Sequence, residues 1–496
     1  MTGRPGGEDA RVQGPDVLGV PYRWLALGLV CLGIFLGTLD TSIINIALPT
    51  LADEFGVARD EVLWVSLIFI LVTTGLGLIM GRLGDLYGRK RLYVVGFACF
   101  TAATGLSAIA GSLPELLGGR TVQAIAASMV IANGAAIVTD SFPASQRGQA
   151  LGIMIGTVGI GVSIGPVLGG VLIEILDWRA IFWTRIPLGV IGSLLVLALL
   201  RDTPAHQRPT GLDLPGSFTL FVLLGALVLA VNRGAAWGWG SPAIIGLFAA
   251  TAGLVVLFIR IERRSRSPVV DLGLFRRVPF SGGILSVLLQ FFGLTGAITI
   301  IPFYLVDARG FSTLEAGAVM VGYPLAMLIV SPLSGRLADR VGPRQVAVAG
   351  LVVVAAGLLS LSTLSATTPV AGIVLRMAIM GTGTAIFFAP NTVLIMQSVG
   401  RDRVGTAAAA QHTARTMGNA IGIAVGGALF TSQAARYALE RSPLGLDDPV
   451  VAPDALVSGI QLALLVAGLV TVLAIPAALA RGRARSGPDR AARDGT

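Results

Sequence analysis

The sequence predicts an all-α polytopic membrane protein built of two six-helix bundles with two further helices between them. Three observations carry this. The 496 residues are 54% hydrophobic and 13% charged, with a mean hydropathy of +0.82. That is about half the charge of an average soluble domain, and a water-soluble globule of this composition would have almost no surface. About fourteen apolar runs reach the roughly 20 residues that cross the hydrocarbon as a helix. Features of the first half also recur in the second at a nearly constant offset of about 255 residues. Length alone would suggest roughly three soluble domains. The composition overrules that prior and excludes disordered, collagen-like and disulfide-stapled chains.

The runs lie near 22–48, 62–80, 92–110, 114–138, 149–173, 180–200, 212–232, 242–260, 280–306, 314–334, 345–364, 368–392, 405–431 and 455–480. Residues 1–21 hold Glu8, Asp9 and Asp16 among prolines and glycines. A cleaved signal begins with basic residues, so the first run is expected to remain a span. The organisation read from these runs is a tail (1–21), a six-helix bundle (22–200), a linker carrying two extra spans (201–279), a second six-helix bundle (280–480) and a basic tail (481–496). Cys31 and Cys99 both fall inside apolar runs, where neither a structural disulfide nor a thiolate metal site is expected. No metal site is expected elsewhere.

An even number of spans puts both termini on one side. Loops on that side carry eighteen Arg and Lys residues against six on the other, and cytoplasmic loops retain basic residues. Both termini are therefore assigned to the cytoplasm and the chain to the cell membrane. This also explains the net charge of +9 as membrane sidedness, without nucleic acid as a partner.

The internal repeat rests on three features. The segment Gly81-Arg-Leu-Gly-Asp85-Leu-Tyr-Gly88-Arg89-Lys90 returns as Gly335-Arg-Leu-Ala-Asp339-Arg340-Val-Gly342-Pro-Arg344. Arg120 returns as Arg376. The ladder Gly161, Gly165, Pro166, Gly169 and Gly170 returns as Gly418, Gly422, Gly426 and Gly427, with Ile423 in place of the proline. Spans 1–6 then pair with spans 9–14, and spans 7 and 8 are an inserted pair.

These motifs resemble those of the major facilitator superfamily and, within it, the fourteen-span drug:proton antiporters. Gly81 to Arg91 is similar to the superfamily's signature loop. Leu39-Asp40-Thr41-Ser42-Ile43-Ile44-Asn45-Ile46-Ala47-Leu48-Pro49 is similar to the first-span motif of the fourteen-span branch, and Gly161 to Gly170 resembles the antiporter motif of exporters. The likeness runs from span 1 to span 14. The chain departs from the pattern at Ala124 and Ala126, where glycines usually follow the span-4 arginine, and at Leu86, usually a basic residue. It departs again at Arg185, usually asparagine.

An ionisable side chain in hydrocarbon costs several kcal/mol, about 2.5 to 3.5 on insertion scales, so each is a functional candidate. Asp40 can load and release a proton, or can serve as a structural acceptor that pins span 1. On an ideal helix Thr38, Thr41, Ser42 and Asn45 share one face and Asp40 points almost oppositely, toward a helix contact. The resemblance implies that Arg120, which stays protonated, acts electrostatically in proton coupling, by shifting the pKa of a nearby carboxylate or by holding an anionic form. Asp85 and Arg89, four residues apart in a turn on the cytoplasmic side, together with Gly81, Gly88, Lys90, Asp339 and Arg340, form a candidate conformational lock. In the glycine ladder, close helix packing is the immediate role and Pro166 adds a bend. Candidate cavity residues are Asn45, Gln123, Asn133, Arg185, Gln290, Phe291, Tyr304, Asn391 and Arg415. Gln411, Arg415 and Asn419 form one stripe, either polar glue or cavity lining. Asp307, at the far end of span 9, reads as solvated.

The function expected is proton-coupled secondary export, an antiport of amphipathic drugs or natural products by alternating access. No catalytic residue and no cofactor beyond the proton gradient is expected. The partners are a small amphipathic substrate, protons and the lipid bilayer, with the chain working as a monomer. An exporter of lipids or lipid conjugates on the same fold is the alternative. A membrane-embedded receptor or enzyme is a further one, against which stand the short loops and the absence of HExxH and GxxxxGK[ST] patterns.

Overall fold

The structure, a computed structural model, describes residues 21–143, 146–201, 214–265, 272–399, 404–448 and 450–480. The two tails expected at 1–21 and 481–496 fall outside these residues except for Pro21. The described residues form fourteen long helices. The first six are α1 (Tyr22–Phe55), α2 (Trp64–Tyr87), α3 (Arg89–Ala108), α4 (Leu113–Ser141), α5 (Arg147–Ile175) and α6 (Arg185–Leu199). Two more follow, α7 (Leu214–Trp237) and α8 (Pro242–Arg264). The last six are α9 (Val278–Phe303), α10 (Gly322–Val341), α11 (Pro343–Leu361), α12 (Val370–Gln397), α13 (Val404–Leu439) and α14 (Ala452–Leu479). Thirteen segments are long and apolar enough to cross a membrane, and α13 is not among them. Its Ala- and Gly-rich sequence, interrupted by Gln411, His412, Arg415 and Asn419, lowers its hydropathy although it is the longest helix.

Several ends differ from the apolar runs. Span 10 begins as a separate helix, Thr313–Met320, started by a capping box of Ser312 and Glu315, which satisfies two otherwise unpaired amide donors. Span 9 ends in a π-helical turn, Tyr304–Ala308. The segment read as a loop from Gly81 is mostly helix: α2 continues to Tyr87, and the turn is reduced to Gly88 at φ 98°. Gly342 at φ 103° does the same between α10 and α11. Only glycine adopts such a backbone readily.

The two halves pack alike. In each, the first helix lies on the fifth (α1 on α5, α9 on α13), the second on the fourth (α2 on α4, α10 on α12) and the third on the fourth (α3 on α4, α11 on α12). Helix α7 packs on α2 of one half and α13 of the other, while α8 packs on α7 and is otherwise largely exposed. Phe221 of α7 fills the space left by Gly75 of α2. At the far end of α7, Asn232 accepts from Trp64 Nε1 at 2.7 Å and Arg233 donates to Glu61 at 2.9 Å.

One apolar cluster draws on both halves at the face away from the basic loops, from Leu39 to Leu71 in one half and from Leu294 to Met320 in the other. Toward the basic-loop face the core divides. One cluster there, with Ala26, Tyr93 and Phe142, belongs to the first half alone, and one with Phe280, Leu351 and Ala414 belongs to the second. The halves are thus joined at one end and separately packed at the other.

Candidate functional site

The polar centre of the first half is Asp40, midway along α1 and fully buried. Its Oδ2 accepts from Arg120 Nη1 at 2.5 Å, and its Oδ1 accepts from Gln123 Nε2 at 3.0 Å and from Arg185 Nη1. Arg120 and Gln123 lie three residues apart on α4 and so share a face. Gln123 Nε2 also donates to Thr104 of α3 at 3.0 Å, and its Oε1 accepts from Arg120 at 2.6 Å. The Nε atoms of the arginines donate to main-chain carbonyls, Arg120 to Val65 at 3.2 Å and Arg185 to Ile181 at 2.6 Å. Each guanidinium lies against an aromatic ring, Phe69 at 4.5 Å and Phe182 at 5.3 Å.

Isolated charges are not tolerated at such burial, but paired and hydrogen-bonded ones are. One carboxylate between two arginines leaves the cluster with a net positive charge, and Arg185 Nη2 is buried with no partner. Below it, along the α1–α3–α4 seam, lies a shallow apolar crevice lined by Gly33, Leu36, Gly37, Phe97, Phe100 and Ala127.

The opposite face of α1 meets the glycine ladder. Ser42 donates to the Val162 carbonyl at 3.0 Å, and a Cβ at Gly161, Gly165 or Gly169 would run into Thr38, Ser42 or Ile46. Gly170 and Pro166 instead touch the other half: Gly170 lies against Thr313 and Leu314, and the Pro166 carbonyl against Gly317. In the second half Gly418 and Gly422 face the backbone of α9, and Gly427 meets Leu63 across the seam. The same seam holds Asp307, which corrects the solvated reading. Its side chain is 7% exposed and accepts from Arg59 Nε at 2.6 Å. An ion partner from the other half cannot be read from span 9 alone.

At the basic-loop face Arg89 donates to Asp85 at 2.8 and 2.9 Å and to Asp140 at the end of α4. All three side chains belong to the first half. The sequence gives little reason to pick out Asp140. Its one signal is a carboxylate just past an apolar run that ends among basic loops. Arg340 is exposed, and the Asp339 side chain lies outside the described residues.

The cavity candidates scatter. Gln123 and Arg185 belong to the Asp40 cluster. Asn45 is buried and accepts from Ser66 at 3.5 Å. Asn133 donates to the Met80 carbonyl at 3.2 Å, Asn391 to the Gly283 carbonyl at 3.1 Å and Gln290 to Thr384 at 3.4 Å, all enclosed between helices. Tyr304 donates to the Ser365 carbonyl at 2.7 Å. Phe291 and Arg415 alone keep partly exposed side chains. On the α13 stripe, Gln411 donates to Thr392 of α12 at 2.6 Å, Asn419 accepts from Thr295 of α9 at 2.6 Å, and Arg415 Nη2 lies 3.1 Å from His412 Nδ1.

Two repeated six-helix bundles joined at one face, with buried charge inside one of them, define a two-halved polytopic membrane protein. The Major Facilitator Superfamily model matches residues 30–423 and 283–495, and the chain belongs to that superfamily. It is 31% identical over 409 residues to the riboflavin transporter RibZ of Clostridioides difficile, covering 82% of this chain and 88% of that one. It is 33% identical over 403 residues to the multidrug resistance protein Stp of Mycobacterium tuberculosis, covering 81% and 74%. The fold is shared with a bacterial homologue of the human lysosomal transporter Spinster, solved inward-facing and unoccupied, at a TM-score of 0.67 and 17% identity over 92% and 96% of the two chains.

Proposed function

We propose that this chain is a proton-coupled exporter of amphipathic small molecules, working as a monomer of fourteen spans in the cell membrane with both termini in the cytoplasm. The observation that carries the reading is the enclosure of Asp40, the sole carboxylate away from a helix end among the described residues, between Arg120 and Arg185. A proton on Asp40 cancels the charge that holds the two guanidinium groups together. Arg120 and Arg185 then repel across a low-dielectric site, and α1, α4 and α6 are driven toward a different packing. Because α1 also carries the face that meets α5, and α5 carries Pro166 and Gly170 at the seam between halves, a shift of α1 reaches the contact that closes the far face. The divided core at the opposite end supports the view that this conformer opens toward the cytoplasm. Efflux and drug-resistance names among relatives such as Stp support the direction of transport.

The test is transport in proteoliposomes under an imposed pH gradient, with charge balance controlled. Asp40→Asn alone strands two buried cations, a loss of about 3–5 kcal/mol expected for breaking a buried pair, and folding itself can fail. Asp40→Asn combined with Arg185→Asn keeps the net charge of the cluster. The double variant is expected to fold and bind substrate while losing gradient-driven transport. Undiminished gradient-driven transport in that variant overturns the coupling role.

A further inference from the structure

The interior of this transporter is electrically one-sided. Asp40 is enclosed by two arginines and unreachable from solvent. Among the described residues the second half has no counterpart: the position matching Asp40 is Thr295, bonded to Asn419, and Arg376, which matches Arg120, has its Nη1 buried without a hydrogen-bond partner. Arg415 lies eleven residues into α13, about 16 Å at the helical rise, and among the described residues it has no carboxylate partner. Unlike the Asp40 cluster it is partly exposed, and His412 beside it is exposed.

The local chemistry is specific. An arginine can only donate, so His412 Nδ1 accepts from Arg415 Nη2, and the neutral ring carries its proton on Nε2. That leaves His412 Nε2–H, on an exposed ring, and the remaining guanidinium N–H groups as donors available to a ligand. The Arg415 guanidinium lies 5.9 Å from the centre of the Phe291 ring, and Phe291 meets Phe388 edge-on at 5.7 Å. A fixed cation, a neutral N–H donor and an aromatic pair together complement an aromatic molecule with a carboxylate or acidic phenol. A cationic amphiphile would meet like charge there.

We propose that Arg415, with His412 and Phe291, is the subsite for the anionic group of the transported molecule, and that the substrates are aromatic amphiphilic anions rather than cations. This rests on the exporter reading above and names its substrate class.

Two xanthene dyes of opposite charge test it: 6-carboxyfluorescein and rhodamine 6G, each offered to the full-length protein in proteoliposomes under a pH gradient. The anionic dye is expected to be carried in preference to the cationic one. Arg415→Gln should slow its transport about tenfold, the loss of one charge-assisted hydrogen bond, and Arg415→Lys should restore part of the rate. Because Arg415→Lys keeps the charge and the bulk, its partial rescue separates loss of the subsite from loss of the fold. Transport of rhodamine 6G without 6-carboxyfluorescein overturns the anion subsite and leaves the exporter reading standing. Equal 6-carboxyfluorescein transport by Arg415→Gln and the unchanged protein overturns the role of Arg415. Transport of neither dye overturns both readings.

Discussion

Charged residues divide by what surrounds them. Asp40, Arg120 and Arg185 are sealed, and each depends on the others for its solvation. Arg89, Asp85 and Asp140 are 20–25% exposed at their side chains, where water and headgroups screen the pairing and a single bond contributes about 0.2–1 kcal/mol. Asp140→Asn is therefore expected to lower the melting temperature in detergent only slightly, since Asp85 still pairs with Arg89. Arg89→Ala removes both partners and should cost more than Asp140→Asn. Equal melting temperatures for the two variants would remove Asp140 from the cluster. Asp40 and Arg120 were legible as candidates because charges inside apolar runs are conspicuous. That Arg185 shares the same carboxylate was not, because the two residues are separated by 145 positions and four long helices.

Helices in this protein meet through glycine where their backbones come close. Gly165 faces Ser42 so tightly that a Cβ would overlap its side chain, whereas Gly156 on the same helix has nothing within 4 Å. Gly165→Ala is expected to destabilise the protein by about 1–3 kcal/mol through overpacking of α1 on α5. Gly156→Ala should be neutral or slightly stabilising, since alanine is the better helix former by about 1 kcal/mol. Thermal unfolding of the two variants in one detergent checks the contrast, and equal shifts would refute it. The GxxxG spacing announced close packing in advance. It did not name the partner: Gly161, Gly165 and Gly169 serve α1 while Gly170 serves the other half, a division set by which side of α5 each residue occupies.

The whole molecule is closed at the far face by the contacts of Pro166 and Gly170 with Thr313–Gly317, of Leu63 with Gly427 and of Arg59 with Asp307. If the halves rock about a central site, this seam must part in every cycle. Arg59→Cys with Asp307→Cys, in a protein whose free Cys31 and Cys99 are replaced by alanine, should stop transport when bridged by a short reducible bifunctional thiol reagent and regain it on reduction. Transport that continues in the bridged protein would refute a moving seam. By itself the sequence determined the membrane and the repeat, because hydropathy and spacing are properties of the chain that lipid reads locally. It also marked which charges have to be accounted for inside the helices. Only the tertiary structure decided that Asp40 answers to two arginines, that Asp307 belongs to a seam and that Arg415 has no acid beside it among the described residues. Those are facts about which helices become neighbours, and burial makes a charge's energy depend on its neighbours far more than on its place in the chain.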